Sequence, residues 1–186
     1  MPYVDRGGAR IWYTVQGTGF PLLTLAPGGM LSSVPLWEVA AINPLTAYAG
    51  QYQMIAMDQR NAGQSAGPLE AGDPWGAYAA DQLAVMDHLG IDRFLVFGCC
   101  IGGAMDLVAS GRTVMVMMEH RDSRDRPKVV QRCSYALTGK ACVDILVTDL
   151  AQFRRKNGGL TVEQVAPGFT KEEVLALTGI DAATSP

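Results

Sequence analysis

The sequence predicts an α/β fold built on a mainly parallel sheet. Three observations carry that expectation. Short apolar runs of strand length alternate with stretches of helical periodicity, and these runs end in turns rich in glycine, proline or polar residues. A strand, helix, strand order favours parallel pairing through a right-handed crossover. The composition agrees, because 48% hydrophobic residues in a chain of 186 suit one packed domain or two small ones and exceed what a disordered chain carries.

The elements follow in order. Ala9 to Val15 alternates, with Ile11, Tyr13 and Val15 on one face, as a half-buried strand requires. Leu22 to Leu25 is an apolar run closed by Pro27-Gly28-Gly29, and Met54 to Met57 is another, closed by Asp58-Gln59-Arg60. Asp73 stands as N-cap ahead of Pro74, and Gly90 just past the end, so a helix is expected between them. Its apolar face reads as Trp75, Tyr78, Ala79, Leu83, Met86 and Leu89. Arg93 to Phe97 reads as a buried strand running into Gly98-Cys99-Cys100-Ile101-Gly102-Gly103. Beyond it, Ala104 to Ala109 reads as a short helix, Val114 to Met118 as a strand, and His120 to Lys128 as an exposed charged loop. Val129-Val130 and Val143 to Val147 are strand candidates, and Thr170 with Glu173 forms a capping box for a last helix reaching Gly179.

Charge and cysteine usage exclude several function classes. A net charge of −3 offers no basic excess to attract nucleic acid or an anionic membrane. No apolar run approaches the ~18 residues of a membrane span, and the N-terminal MPYVDRGGAR has no signal-peptide pattern. The cysteines at 99, 100, 133 and 142 form no CxxC framework, which suits a reducing compartment better than a disulfide scaffold. The expectation is a soluble, cytoplasmic protein with no cofactor, no metal site, no nucleic-acid partner and no membrane partner. Composition also shifts along the chain: residues 1–103 hold 8 acids and 4 arginines without a lysine, whereas residues 104–186 hold all four lysines.

The chemistry-bearing motif is Gly98-x-Cys100-x-Gly102 directly after an apolar strand. It has the form of the nucleophile elbow, with cysteine in the position usually held by serine. The strand-to-helix turn is tight enough to demand small neighbours, and it sets the nucleophile at a helix N-terminus, where the dipole favours a thiolate. Cys99, pointing the other way, is expected in the core. Leu25-Ala26-Pro27-Gly28-Gly29-Met30 and Asp58-Gln59-Arg60-Asn61-Ala62-Gly63-Gln64-Ser65 lie upstream in the matching order. On these motifs residues 1–103 resemble the N-terminal part of the α/β-hydrolase superfamily. Two departures stand out: alanine replaces a common histidine at position 26, and Asn61 replaces a usual glycine, a mild change because asparagine tolerates left-handed geometry. The resemblance implies that Cys100 attacks an ester, lactone or thioester carbonyl while the backbone N–H groups of Ile101 and of Gly29 or Met30 hold the oxyanion.

Residues 102–186 resemble a different family. Gly102 to Val108, Val116 to His120, Pro127 to Val130, Leu137 to Lys140, Val143-Asp144, Thr148 to Ala151 and Ala166 to Val174 resemble the C-terminal part of the B subunit of 3-oxoacid CoA-transferases. That resemblance implies an acyl-CoA substrate and an A-type partner subunit, with a covalent glutamate carried in an S-E-N-G motif that this sequence does not contain. The chain thus reads as a hybrid of segments 1–103 and 104–186, with the hydrolase acid and base region replaced and turnover weak or absent. A catalytically silent hybrid is the third reading. His88 reads as structural. His120 is the remaining candidate base, with Asp122 or Asp125 to orient it, although a solvated loop histidine is the plainer reading; Glu119 and Asp144 read as structural or as vestiges.

Overall fold

The computed structural model describes residues 2–69, 72–100, 113–135, 137 and 139–180. Its chain divides into two compact units, Met1–Gly111 and Arg112–Pro186.

The first unit carries five strands: β1 (Tyr3–Arg6), β2 (Ala9–Gln16), β3 (Phe20–Leu25), β4 (Tyr52–Met57) and β5 (Leu95–Gly98), in the sheet order β1-β2-β4-β3-β5. β3 is parallel to both β4 and β5, while β2 is antiparallel to β1 and β4. The parallel expectation therefore holds at β4-β3-β5, and the sheet as a whole is mixed. The antiparallel pair begins with a hairpin that the apolar pattern alone does not announce. Gly7 and Gly8 stand at φ 55° and 80°, the two left-handed residues of a two-residue turn whose twist matches the strands it joins. The Gly-Gly dipeptide ahead of an alternating run was the available signal.

Helix α1 (Pro44–Ala47) is a single turn after β3, and α2 (Pro74–His88) is the main helix of this unit. α2 starts as its sequence demands: the Asp73 carboxylate accepts from the Gly76 amide at 2.8 Å, Pro74 follows at the first position, and Gly90 takes a left-handed φ of 68° past the end. Its buried face is rotated from the expected one. Leu83 is exposed, whereas Asp81, Gln82, Val85 and Met86 are buried with Tyr78. The cause is a buried ion pair: Arg60 Nε and Nη2 donate to the two oxygens of Asp81 at 2.9 and 2.7 Å, with both side chains almost fully enclosed. A charge cannot be left alone in that environment, so the helix turns its carboxylate inward. The core beneath α2 gathers Ile11, Tyr13, Leu23, Leu25, Ile55 and Met57 against Val85 and Met86.

The second unit is a four-stranded mixed sheet in the order β6-β7-β8-β9, made of β6 (Met115–Met117), β7 (Ile145–Val147), β8 (Ala151–Lys156) and β9 (Gly159–Val165). β6 and β7 are parallel, and the other pairs are antiparallel. The β8–β9 hairpin was not expected. Asn157 and Gly158, at φ 50° and 85°, form its turn, and an Asn-Gly dipeptide between strand-like runs is a strong hairpin signal. β6 is shorter and more exposed than an apolar run from 114 to 118 suggested, because it is the end strand and shows Met115 and Met117 outward. Helix α3 (Lys171–Ala176) carries the expected capping box: Glu173 N–H donates to Thr170 Oγ1, and Thr170 N–H donates to Glu173 Oε2. It stops before Gly179, whose N–H donates instead to the Val129 carbonyl at 2.8 Å. Phe153 and Val174, both fully buried, centre a core with Val129, Leu146 and Leu150.

The turn after β4 gives a direct test of this framework. Gly63 stands at φ 51°, and a β-carbon there would lie 2.1 Å from Asp58 Oδ2. Gly63→Ala should lower unfolding free energy by about 3 kcal/mol in urea titration, through backbone strain and displacement of that carboxylate. Asn61→Gly, at φ 66°, should cost about 1 kcal/mol or less, since glycine accepts the same backbone and forfeits one exposed hydrogen bond.

Candidate functional site

The parallel register of β3 and β5 pairs Leu25 with Gly98, and the Cys99 N–H donates to the Leu25 carbonyl at 3.4 Å. The segment after β3 and the segment after β5 therefore leave the sheet side by side, at the carboxyl ends of parallel strands, where α/β ligand sites form. Cys100 stands two residues past β5 with φ 67° and an exposed thiol. For a residue with a β-carbon that backbone region is costly, and it is the conformation that throws a side chain outward from a tight strand-to-helix turn. Cys99 is also exposed, contrary to the core position expected of it. The reason is its strand: β5 ends the sheet order, and Leu95 is 48% exposed, so the segment is not the fully buried strand that its apolar letters suggested.

In the loop after β3, Gly28 and Gly29 take φ values of 116° and 57°, opening a turn of 3-10 helix over Gly29–Leu31. The Gly28 and Gly29 carbonyls accept from Leu31 and Ser32 N–H groups, both at 3.0 Å. The first amides of such a turn, here Gly29 and Met30, have no acceptor within the turn. Met30 is 53% exposed. Ile101, the third expected oxyanion donor, lies outside the described residues, as do Gly102, Gly103 and the helix expected over 104–109.

Residues that the sequence shows only as part of a motif hold this loop in place. Buried Asp58 accepts from the Val34 N–H at 2.7 Å through one oxygen and from the Gln64 N–H at 2.8 Å through the other. Ser32 Oγ donates to the Ala26 carbonyl at 2.7 Å, and the Gln59 N–H donates to the Ser32 carbonyl at 2.9 Å. Ser65 Oγ donates to the Asp58 carbonyl and accepts from the Trp12 N–H, each at 2.8 Å. The Asp-Arg-Ser spacing of the motif was the legible sign of these positioning roles.

His120 belongs to the second unit and is fully buried, not a solvated loop residue. Its ring stacks on Phe153 at 5.9 Å, and its backbone N–H donates to Asp149 Oδ1 at 2.6 Å. Nδ1 lies 3.1 Å from Thr148 Oγ1, whose own proton goes to the Ala151 carbonyl. The same hydroxyl accepts from the Leu150 and Ala151 N–H groups at 3.2 and 3.0 Å, so it ties the ring to the turn between β7 and β8. Nε2 is buried and has no hydrogen-bond partner among the described residues. Burial pushes the His120 pKa below its ordinary value; the Asp149 carboxylate opposes that shift and Arg121 reinforces it. Asp122 and Asp125 do not orient this ring. Asp122 accepts from Arg126 at 2.7 Å, which holds its carboxyl down at about 2, and Asp125 accepts from Arg121 at 2.6 Å. His88, at the end of α2, packs edge-on against Tyr13 at 5.9 Å. Asp144 ties Arg155 and the Val114 N–H, a structural role that lowers its pKa. Among the described residues no group of three or more His, Cys, Asp or Glu could hold a metal ion, and no helix is long and apolar enough to cross a membrane.

The α/β hydrolase fold family matches residues 21–113, and the coenzyme A transferase family matches residues 76–177. The chain belongs to both families. The hydrolase match spans the loop after β3, the Asp58–Ser65 turn and the elbow; the transferase match spans the second unit up to Leu177. Over 85 residues the chain is 44% identical to the B subunit of the probable succinyl-CoA:3-ketoacid coenzyme A transferase of Bacillus subtilis, covering 46% of this chain and 39% of that one. It is 41% identical over 88 residues to the mitochondrial succinyl-CoA:3-ketoacid coenzyme A transferase 2B of Mus musculus, covering 46% of this chain and 17% of that one. The chain thus spans less than half the length of these transferase relatives. Among solved structures it superposes on the enol-lactonase from Burkholderia xenovorans LB400 with a TM-score of 0.51 at 20% identity, over 64% of this chain and 46% of that one. That likeness shows the hydrolase fold.

The His120 environment predicts a pH response. The folded pKa is depressed below the unfolded 6.5, so the unfolded chain binds the extra proton first as pH falls. Its contribution is complete above about 6.5 and is lost below, through the folded value. The urea midpoint should drop between about pH 7.5 and about pH 5 in the native chain and less in His120→Gln. Asp122 leaves this window clear, because its loss falls between 3.8 and about 2.

Proposed function

We propose that the first unit performs cysteine-based acyl transfer, with Cys100 as nucleophile toward small ester, lactone or thioester substrates. The observation that carries this reading is the exposed Cys100 at φ 67°, two residues past the β5 end that pairs with Leu25 at the end of β3. The sulfur attacks the carbonyl carbon, the carbonyl electrons move onto oxygen, and the N–H groups of Ile101 and of Gly29 or Met30 hold that oxyanion. Collapse expels the alkoxide or thiolate and leaves acyl-Cys100. Hydrolysis of that thioester needs a base to activate water. His120 is a poor base for the task, because its free nitrogen is enclosed by protein; we assign it a structural role. The acyl-enzyme is therefore the expected end point, or a slowly cleared intermediate, in a cytoplasmic protein. We read segments 1–103 and 104–186 as two units of separate origin.

A second reading is favoured by the transferase match over 76–177: a protein like the transferase B subunit, which takes acyl-CoA and pairs with an A-type partner. Against it stands the absence of the S-E-N-G glutamate from the sequence. A silent hybrid remains as the outcome if neither chemistry operates.

Two measurements separate these readings. With p-nitrophenyl acetate, nitrophenol release should stop near one equivalent per chain, and Cys100→Ser should abolish it; sustained turnover would mean that a base is present. With succinyl-CoA and acetoacetate, with or without an added A-type partner, no acetoacetyl-CoA should form above the level of Cys100→Ala. If transfer does occur, Glu119 is the carboxylate to substitute next.

A further inference from the structure

The acyl chemistry proposed above uses the Cys100 sulfur and leaves Cys99 without a role, although both residues are exposed. Neighbours on a strand point to opposite faces of the sheet, which would keep two adjacent thiols apart. Here the alternation ends at Gly98, the last residue of β5, and Cys100 takes the backbone into the left-handed region at φ 67°. Two exposed side chains, with room to rotate, therefore stand on Cα atoms about 3.8 Å apart across a trans peptide. We infer that Cys99 and Cys100 act together as a vicinal dithiol site for a thiophilic, three-coordinate centre, the class to which monosubstituted trivalent arsenicals belong.

Three features select this ligand class. An unstrained disulfide joins residues whose Cα atoms lie about 4.4–6.8 Å apart, and adjacent residues fall short of that span. A bridging atom lengthens the link between the sulfurs and relieves the misfit. A zinc-like ion takes four ligands, yet among the described residues no group of three or more His, Cys, Asp or Glu could hold a metal ion. Two soft sulfur donors suit a soft centre that brings its own third ligand. The Cys99 N–H also donates to the Leu25 carbonyl at 3.4 Å. That bond ties the pair to the end of β3 and reduces the ordering cost of closing a chelate.

With an arsenoso compound, R–As=O, no electrons are transferred. The Cys100 sulfur attacks arsenic, an As–S bond forms, the As=O π pair moves onto oxygen, and that oxygen takes the Cys100 proton. The Cys99 sulfur then forms the second As–S bond, the As–O bond breaks, and hydroxide leaves as water with the Cys99 proton. Arsenic stays trivalent, two thiols are consumed and one water is released. An occupied Cys100 sulfur is closed to acyl groups, so the same event silences the acyl chemistry.

Phenylarsine oxide is the probe, applied to the reduced full chain at neutral pH and followed by intact mass and tryptic mapping. Cleavage at Arg93 and Arg112 puts Cys99 and Cys100 on one peptide, separate from those of Cys133 and Cys142. One phenylarsenic group per chain is expected on that peptide, with both of its thiols protected from alkylation. Excess 2-mercaptoethanol should leave the group bound, and 2,3-dimercaptopropanol should remove it. Cys99→Ser and Cys100→Ser should each weaken retention by about 10²-fold or more, because the second As–S bond is intramolecular in the native chain. Cys133→Ser combined with Cys142→Ser should retain the group in full. Removal by the monothiol, arsenic bridging to Cys133 or Cys142, or undiminished retention in either single variant would overturn the proposal. Mapping of the unaltered chain decides the matter even where a variant misfolds. Retention is read without an acyl substrate, so its failure leaves the acylation reading standing. Conversely, a loaded chain that still releases nitrophenol from p-nitrophenyl acetate would count against Cys100 as nucleophile and leave the dithiol site intact.

Discussion

The buried fork between Arg60 and Asp81 is the constraint on which the first unit depends. It joins the turn after β4 to the middle of α2, at 2.7 and 2.9 Å with both groups enclosed. Two charges removed from water at this depth are tolerable only as a hydrogen-bonded pair, and removing one partner from such a pair typically costs about 3–5 kcal/mol. Arg60 Nη1 also donates to the Pro68 carbonyl at 3.0 Å, and Arg6 reaches the same carboxylate at 3.3 Å from β1. The pair therefore fixes helix, turn and first hairpin to one another. It also sets which face of α2 is buried, and with it how the helix leads into β5.

From that fixed turn the polar framework runs toward the elbow. Asp58 precedes Arg60 by two residues and divides its oxygens between the loop after β3 and the turn it begins. The loop after β3 is thereby held at Val34 by a buried carboxylate. The β3–β5 register, which ends with Leu25 paired to Gly98, brings this loop and the Cys99-Cys100 segment out at the same end of the sheet. The second unit spends its polar groups differently. Asp149 and Asp144 accept from the backbone N–H groups of His120 and Val114, and Thr148 contacts the His120 ring, and the result is a small core with one enclosed nitrogen.

Family membership on both sides of the chain explains why these two units share so little chemistry. The hydrolase family supplies the elbow and the loop opposite it. The transferase family supplies a sheet whose histidine is packed on Phe153. The two family matches overlap over 76–113, a stretch that includes most of α2, all of β5 and the Gly98–Gly102 sequence motif.

Much of this was legible in the residues themselves. Capping at Asp73 and Thr170, the left-handed Asn61 and the strand runs of the first unit are local effects, settled within a few residues by backbone sterics and by hydrogen bonds between near neighbours. The two hairpins were equally local and carried their Gly-Gly and Asn-Gly signals. What the tertiary structure alone decided was burial. Asp81 faces inward because Arg60, 21 residues away, waits there. Leu95 and Cys99 are exposed because β5 ends its sheet, and His120 is enclosed because Phe153 and Thr148 fold over it from β8 and the turn before it. Burial depends on partners distant in the chain, and no local pattern of apolar and polar letters encodes which of them arrive.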